Sequence, residues 1–112
     1  MQGLTILVAS PDPDRFRAAL TLASAAAALG ARTRVYLHEG AVTLLAGSDA
    51  PIPRGLPTFA ELRTIATESG VSMIACQTGL ALASLSADTV GVDAGGMIDL
   101  LATLGDDRLV TL

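Results

Sequence analysis

Short apolar runs that alternate with helical segments are the feature that most constrains the fold of this chain. The first run covers residues 4–9, is ended by a Ser-Pro-Asp-Pro stretch, and is followed by an Ala-rich helical pattern over residues 13–29. A continuous apolar run of this length is typical of a strand buried on both faces, as in a parallel sheet. Asp12 is placed to cap the helix, and Gly30 to end it in a left-handed conformation.

The same alternation continues along the chain. Further strands are predicted over residues 32–37, 71–76 and 108–112. Helices are predicted over residues 41–46, 58–69, 77–84 and 94–104. Thr58 and Glu61 have the spacing of a capping box, and Asp93 is placed to cap the last helix. Residues 47–57, rich in Pro and Gly, predict a loop, and residues 86–92 are expected to be irregular.

Strands that alternate with helices predict an α/β fold with a mostly parallel central sheet of four to five strands and helices on both faces. A chain of 112 residues predicts a single domain over residues 1–112.

Composition narrows the functional classes. The net charge is −4, every basic residue is Arg, and no basic stripe is present, so no nucleic-acid partner is expected. No apolar run is long enough for a signal peptide or a membrane span, so we expect a cytoplasmic protein without a membrane partner. A hydrophobic content of 51% in so short a chain indicates surface that is covered in a homo-oligomer.

Polar side chains follow the first three predicted strands. They are Ser10 and Asp12, then His38 and Glu39, then Cys76, Gln77 and Thr78. Because ligands bind at the carboxyl ends of parallel strands, we expect these side chains to share one rim that forms a binding site.

Cys76 is the only cysteine, which excludes an internal disulfide and favours a reducing compartment. Its position between a strand and a helix start would stabilise a thiolate through backbone amides and the helix dipole. A free cysteine at a strand end also often only fills space, so a catalytic and a structural Cys76 both remain open.

The sequence gives less support for a functional role of the other candidate residues. His38 is either a base or proton donor for the thiol or a surface histidine. One Cys and one His do not supply the usual metal ligands, and neither a GxGxxG nor a Walker sequence is present. We therefore expect no metal and no cofactor.

Several segments in their order resemble one known family. They are the opening strand, the Ala-rich helix, residues 34–42 (RVYLHEGAV), the helix from Phe59, residues 71–76 and residues 104–112. The most specific of them is Cys76, at the end of the strand that follows the second long helix. This pattern is similar to the DsrE/DsrF-like family, which includes the TusD-type sulfur-relay proteins.

The resemblance implies a three-layer α/β sandwich that assembles as trimers or hexamers. It also implies that Cys76 carries a persulfide between sulfur-donor and sulfur-acceptor proteins. The alternative is a non-catalytic oligomeric module that binds a small molecule or a protein, with Cys76 as a structural residue.

Overall fold

The computed structural model describes residues 2–47 and 55–112. Its centre is a five-stranded, all-parallel sheet in the order β4-β3-β2-β1-β5. The strands are β1 (Leu4–Val8), β2 (Thr33–Leu37), β3 (Ser72–Cys76), β4 (Asp93–Gly95) and β5 (Arg108–Thr111). The α-helices are α1 (Pro13–Ala28), α2 (Phe59–Glu68), α3 (Gln77–Leu82), α4 (Ala87–Val90) and α5 (Met97–Ala102). The predicted α/β fold is confirmed; most of the predicted loop, residues 48–54, lies outside the described residues.

The order of the strands places helices on both faces of the sheet. The chain moves from β1 through β2 and β3 to β4, and then returns past β1 to β5. Because parallel crossovers are right-handed, the reversal places α5 on the opposite face from α1. α1 packs on β1 and β2 and lies beside α2, where the rings of Phe16 and Phe59 stack 5.7 Å apart.

Local signals explain where the two long helices begin. Asp12 caps α1, since its Oδ1 accepts hydrogen bonds from the amides of Asp14 (2.9 Å) and Arg15 (3.3 Å). Thr58 caps α2, because its hydroxyl accepts from the amide of Glu61 at 3.1 Å. The expected reciprocal bond differs in detail: the Glu61 carboxylate accepts from the Thr58 hydroxyl at 3.3 Å.

A buried ion pair joins β2 to the start of β5. The guanidinium of Arg34 donates to the hydroxyls of Thr5 (3.1 Å) and Thr103 (2.7 Å), and it lies 3.8 Å from Asp107. Arg32 binds the same carboxylate at 2.7 Å. The hydrogen bond from Arg32 lowers the pKa of Asp107 below its usual range, with further lowering from the bond from Thr5 and from both arginine charges and an opposing effect of burial.

Two predictions for residues 86–104 are wrong. Residues 86–92 are not irregular, because the Ser86 hydroxyl caps the single-turn helix α4 by accepting from the Thr89 amide, and Gly91 ends it at φ 71°. Asp93 does not cap a helix over residues 94–104, since it begins β4.

The last helix starts later than predicted because β4 pairs with β3. A Cβ at Gly95 would lie 2.8 Å from Cγ2 of Ile74, so the glycine permits this close strand contact. Gly96 then stands at the N-cap of α5.

The segment predicted as a helix over residues 41–46 is a 3₁₀ helix over Glu39–Leu45. It contacts β2, β3 and α3, and Ala41, Val42 and Leu45 are buried. The segment therefore packs over the carboxyl ends of the two strands that carry His38 and Cys76. Within residues 2–47 and 55–112, no helix is long and apolar enough to cross a membrane.

Candidate functional site around Cys76

The polar segments that follow β1, β2 and β3 lie at one edge of the sheet. The three strands are neighbours and parallel, and the amide of His38 donates to the carbonyl of Val8 at 3.0 Å, so their carboxyl ends are level. The topology thus places the seven sequence-predicted residues at one edge. A binding role for them remains a prediction.

Cys76 is the last residue of β3 and directly precedes α3. The residue is only 8% exposed, and burial of this kind disfavours a charged sulfur. The surroundings of the sulfur are nevertheless polar: the backbone amides of Gly79, Glu39 and Thr78 and the hydroxyl of Tyr36 each lower the pKa of the thiol, although Cys76 accepts no side-chain capping bond from α3. We call these four groups the donor set.

The donor set decides which form of the thiol the fold favours. Burial raises the pKa of the Cys76 thiol, but the amides of Gly79 and Glu39, then the Tyr36 hydroxyl and the Thr78 amide, lower it more. The net pKa lies below the ordinary thiol value, so the fold stabilises a thiolate although the sulfur is largely covered.

The geometry of the donor set depends on an unusual backbone at Glu39. This residue has φ 43°, a left-handed conformation that costs a non-glycine residue about 1 kcal/mol or more. The turn brings Glu39, at the start of the 3₁₀ helix, against Gly79 in the helix that follows Cys76. Strain of this kind persists where neighbouring contacts enforce it.

Gly79 supplies the enforcing contact from α3. A Cβ on Gly79 would lie 2.5 Å from the carbonyl oxygen of Glu39 and 2.6 Å from Cγ2 of Val42. Only glycine allows α3 to approach the 3₁₀ helix this closely. The bare backbone therefore lets α3 and the 3₁₀ helix pack closely together next to Cys76.

Tyr36 completes the donor set from β2. Its side chain is 1% exposed, and its ring stacks on that of His38 with centroids 6.4 Å apart. Burial, together with the neighbouring Cys76 side chain, raises the pKa of Tyr36 to about 12. The hydroxyl thus stays protonated and able to donate at neutral pH.

His38 is half-buried beside Tyr36. Its Nε2 lies 3.7 Å from the Glu39 carboxylate. Its Nδ1 is buried and has no hydrogen-bond partner among the residues that the structure describes. Among the described residues, the histidine thus contacts Tyr36 and Glu39 and makes no hydrogen bond to Cys76.

The other four predicted residues contribute less to the sulfur environment. Asp12 is occupied as the cap of α1, and Ser10 is half-buried on the same loop. Gln77 and Thr78 expose their side chains, and Thr78 acts on Cys76 through its amide. Within the described ranges, no group of three or more His, Cys, Asp and Glu side chains could hold a metal ion.

Sequence reasoning missed Tyr36 and Gly79. Tyr36 had a signal, because it is the only tyrosine and stands two residues before His38, so the alternation of a strand puts both rings on one face. Gly79 also had a signal in the sequence, since a glycine in the interior of a predicted helix, away from any turn, indicates a close packing contact.

The fold of the chain matches solved structures along its whole length. The crystal structure of the ychN protein from E. coli aligns with a TM-score of 0.69 at 24% identity and covers 100% of both chains. A conserved protein of unknown function from Bacteroides thetaiotaomicron, BT1422, aligns with a TM-score of 0.73 at 19% identity, over 98% of this chain and 94% of that one. No curated protein matches the sequence.

The sequence itself identifies the family. The opening strand, the Cys76 strand end and the closing strand all lie within a single match to one family profile, which spans residues 2–112. The chain therefore belongs to the DsrE/DsrF-like family.

Proposed function

We propose that this protein is a sulfur carrier in which Cys76 accepts and donates a persulfide sulfur. The observation that carries the proposal is the donor set, because four hydrogen-bond donors around one sulfur favour its anionic form. A thiolate is the nucleophile in thiol exchange, and a stabilised thiolate is also a good leaving group.

The chemistry has two balanced steps. In loading, the Cys76 thiolate attacks the outer sulfur of a donor persulfide, R–S–S–H; the donor S–S bond breaks, R–S⁻ leaves, and Cys76–S–S–H forms. In discharge, an acceptor thiolate attacks that outer sulfur, the Cys76 S–S bond breaks, and the Cys76 thiolate returns. No electrons are gained or lost overall, and the donor set holds the charge on Sγ before and after each cycle.

The acceptor must be a second molecule. Cys76 is the only cysteine, so no other thiol of the same chain can accept the outer sulfur as a persulfide. The partners of the proposed reaction are a sulfur-donor and a sulfur-acceptor protein. A reducing compartment such as the cytoplasm would keep the free thiol available.

Intact-mass spectrometry tests the proposal directly. The native protein is incubated with glutathione persulfide, and Cys76→Ser serves as the matched control. We expect the wild type to gain the mass of one sulfur atom, the variant to gain none, and an added small thiol to remove the sulfur. A native protein that stays unloaded while its urea-unfolded form is loaded would exclude the carrier role.

A second function is favoured by one observation, the 8% exposure of Cys76. In this alternative the chain is a non-catalytic oligomeric binding module, and Cys76 packs at the end of β3. Alkylation near neutral pH separates the two functions. A binding module predicts that native Cys76 reacts no faster than the unfolded chain, whereas a carrier predicts that it reacts faster.

We also propose that the protein is a homo-oligomer, a trimer or a hexamer. Support comes from the short helices, where Leu82 on α3 is 76% exposed and Ile98 on α5 is 85% exposed. Burying such side chains at an interface contributes about 1.5–3 kcal/mol each. Light scattering should report three or six chains, and Ile98→Glu should reduce that mass; a monomeric wild type would exclude the assembly.

A further inference from the structure

A polar cavity of about 200 Å³ lies between the sheet and α5. Residues of β2, β3, β4 and the α5 segment line it, among them Arg34, Asp93, Gly95, Asp99 and Thr103. Sites for drug-sized ligands are larger, roughly 300–1,000 Å³. The cavity therefore fits a molecule of the size of a single amino acid.

Arg34 provides a positive charge at the inner end of this cavity, since it is only 8% exposed. Its guanidinium donates to three neutral oxygens, two of them Thr hydroxyls and one a backbone carbonyl. The Asp107 carboxylate lies 3.8 Å away and is hydrogen-bonded to Arg32 instead. A guanidinium has five N–H donors, so two of them have no partner among the residues that the structure describes. An anionic group in the cavity can accept from these donors in strong, charge-assisted bonds.

Two carboxylates provide negative charge at the mouth of the cavity. The side chains of Asp93 and Asp99 both line it and both are exposed. Neither forms an ion pair with any residue in the described ranges. A buried cation with carboxylates above it is complementary to a molecule that carries one anionic and one cationic group.

We propose that this cavity binds a small α-amino acid as its zwitterion, with the carboxylate at Arg34 and the ammonium group at Asp93 and Asp99. An α-amino acid carries both charges on a single carbon atom, which suits the small volume. A simple anion would meet two uncompensated carboxylates at the mouth, and a simple amine would leave the Arg34 donors unpaired. The charges of the cavity thus select for a molecule that has both groups.

The cavity lies on the same face of the sheet as the side chain of Cys76. Ile74 lines the cavity and stands two residues before Cys76, and alternate residues of a strand share a face. Gly95 also lines it and is the residue of β4 that pairs with Cys76. Among α-amino acids, cysteine persulfide would supply the R–S–S–H donor of the loading step. This choice of amino acid rests on the proposed function, whereas the amino-acid site itself does not.

A titration with three related small thiols tests the site. L-cysteine carries both charges at about pH 6.5, cysteamine lacks the carboxylate, and 3-mercaptopropionate lacks the amine. With a phosphine reductant present, we expect L-cysteine to shift the NMR amide signals of Gly95 and Gly96 saturably. Loss of one charge-assisted contact predicts binding about tenfold weaker for each of the other two thiols. Equal affinities for all three, or no saturable shift at these glycines, would overturn the proposal. The ligands test Arg34 without replacing it, which a buried ion pair requires.

Replacing the two carboxylates gives a second test. The double variant Asp93→Asn, Asp99→Asn should bind L-cysteine about tenfold more weakly, but should not bind 3-mercaptopropionate more weakly, because that thiol has no ammonium group. The matched control is Asp88→Asn, Asp106→Asn, which removes the same charge from two exposed positions outside the cavity. If both double variants bind L-cysteine alike, the assignment of the ammonium group is wrong.

Loading separates this site from the carrier function. Cysteine persulfide is offered to the native protein, and the added sulfur is measured by intact mass. Saturable binding of L-cysteine without loading of Cys76 supports the amino-acid site and rejects the carrier function. Loading of Cys76 without saturable binding of L-cysteine overturns the site and leaves the carrier function intact.

Discussion

Replacing Gly79 by Ala would test whether the close contact between α3 and the 3₁₀ helix holds the donor set together. The added methyl would lie 2.5 Å from the carbonyl oxygen of Glu39 and 2.6 Å from Cγ2 of Val42. Ordinary contact begins near 3.4 Å, so the two segments must separate by almost 1 Å.

The expected loss of stability follows from two opposing effects. Overpacking of this size costs about 1–3 kcal/mol. Ala is favoured over Gly inside a helix by about 1 kcal/mol, which offsets part of that cost. We expect a net destabilisation of about 1 kcal/mol, which lowers the urea midpoint by about 0.5 M at an m-value of about 2 kcal/mol/M.

The substitution should also change the pKa of the Cys76 thiol. Separation of the segments weakens the effect of the Gly79 and Glu39 amides on the sulfur, so the pKa of the Cys76 thiol should rise towards its ordinary value. Urea unfolding and the absorbance titration of the thiolate measure the two effects.

Gly96→Ala is the matched control for this substitution. Its added methyl has no atom within 4 Å, and its backbone has a negative φ of −123°. We expect a change within about 0.5 kcal/mol and an unaltered thiolate midpoint. If Gly79→Ala behaves like Gly96→Ala in both assays, the argument from close approach is wrong.

Three further predictions concern residues that stabilise the fold away from Cys76. Asp107→Asn should destabilise the protein by about 2–4 kcal/mol in urea unfolding, because Arg34 stays buried without its counter-charge; a loss below about 0.5 kcal/mol would show the pair to be dispensable. The pKa of Asp107 is lowered by folding, so its contribution is complete above about pH 4 and is lost as pH falls through the folded-state value. The midpoints of wild type and variant should therefore converge in acid, and a constant gap would refute this assignment. Asp12→Ala should cost about 1 kcal/mol through loss of the α1 cap, whereas Asp12→Asn, which can still cap, should cost a few tenths; equal losses would contradict the capping role.

The fold could be predicted because its signals are local. The helix α1 is specified by a cap at Asp12, a proline at its first position and a left-handed Gly30, all within one segment. The chain over Asp93–Gly95 has no such signal, because a short strand with two neighbouring glycines is stabilised only by pairing with β3. The β-propensity of a segment does not indicate which residues the segment will contact across the sheet.

The candidate site likewise has one part that could be predicted from the sequence and one part that could not. Cys76 could be singled out because a strand end and a helix start are both visible in the sequence around it. The burial of Cys76 and the effects of Tyr36 and Glu39 on its pKa could not be predicted, since they come from a neighbouring strand and from a strained turn. Both depend on register and packing, which one sequence does not specify.

The low exposure of Cys76 and the carrier role proposed for it are compatible only if groups of the protein, and not water, stabilise the charge on the sulfur. An uncompensated thiolate at this depth would be too costly, and burial alone would keep the thiol protonated and inert. The donor set removes that penalty with three amides that cannot rotate away and one phenol that stays protonated. The same groups lose their strong acceptor when Sγ becomes the neutral, bridging atom of a persulfide. Because Sγ is buried, the donor set and not water determines how stable the Cys76 thiolate is relative to the persulfide. A proposed carrier needs this stable thiolate, since it is the group that leaves when the outer sulfur is transferred to an acceptor.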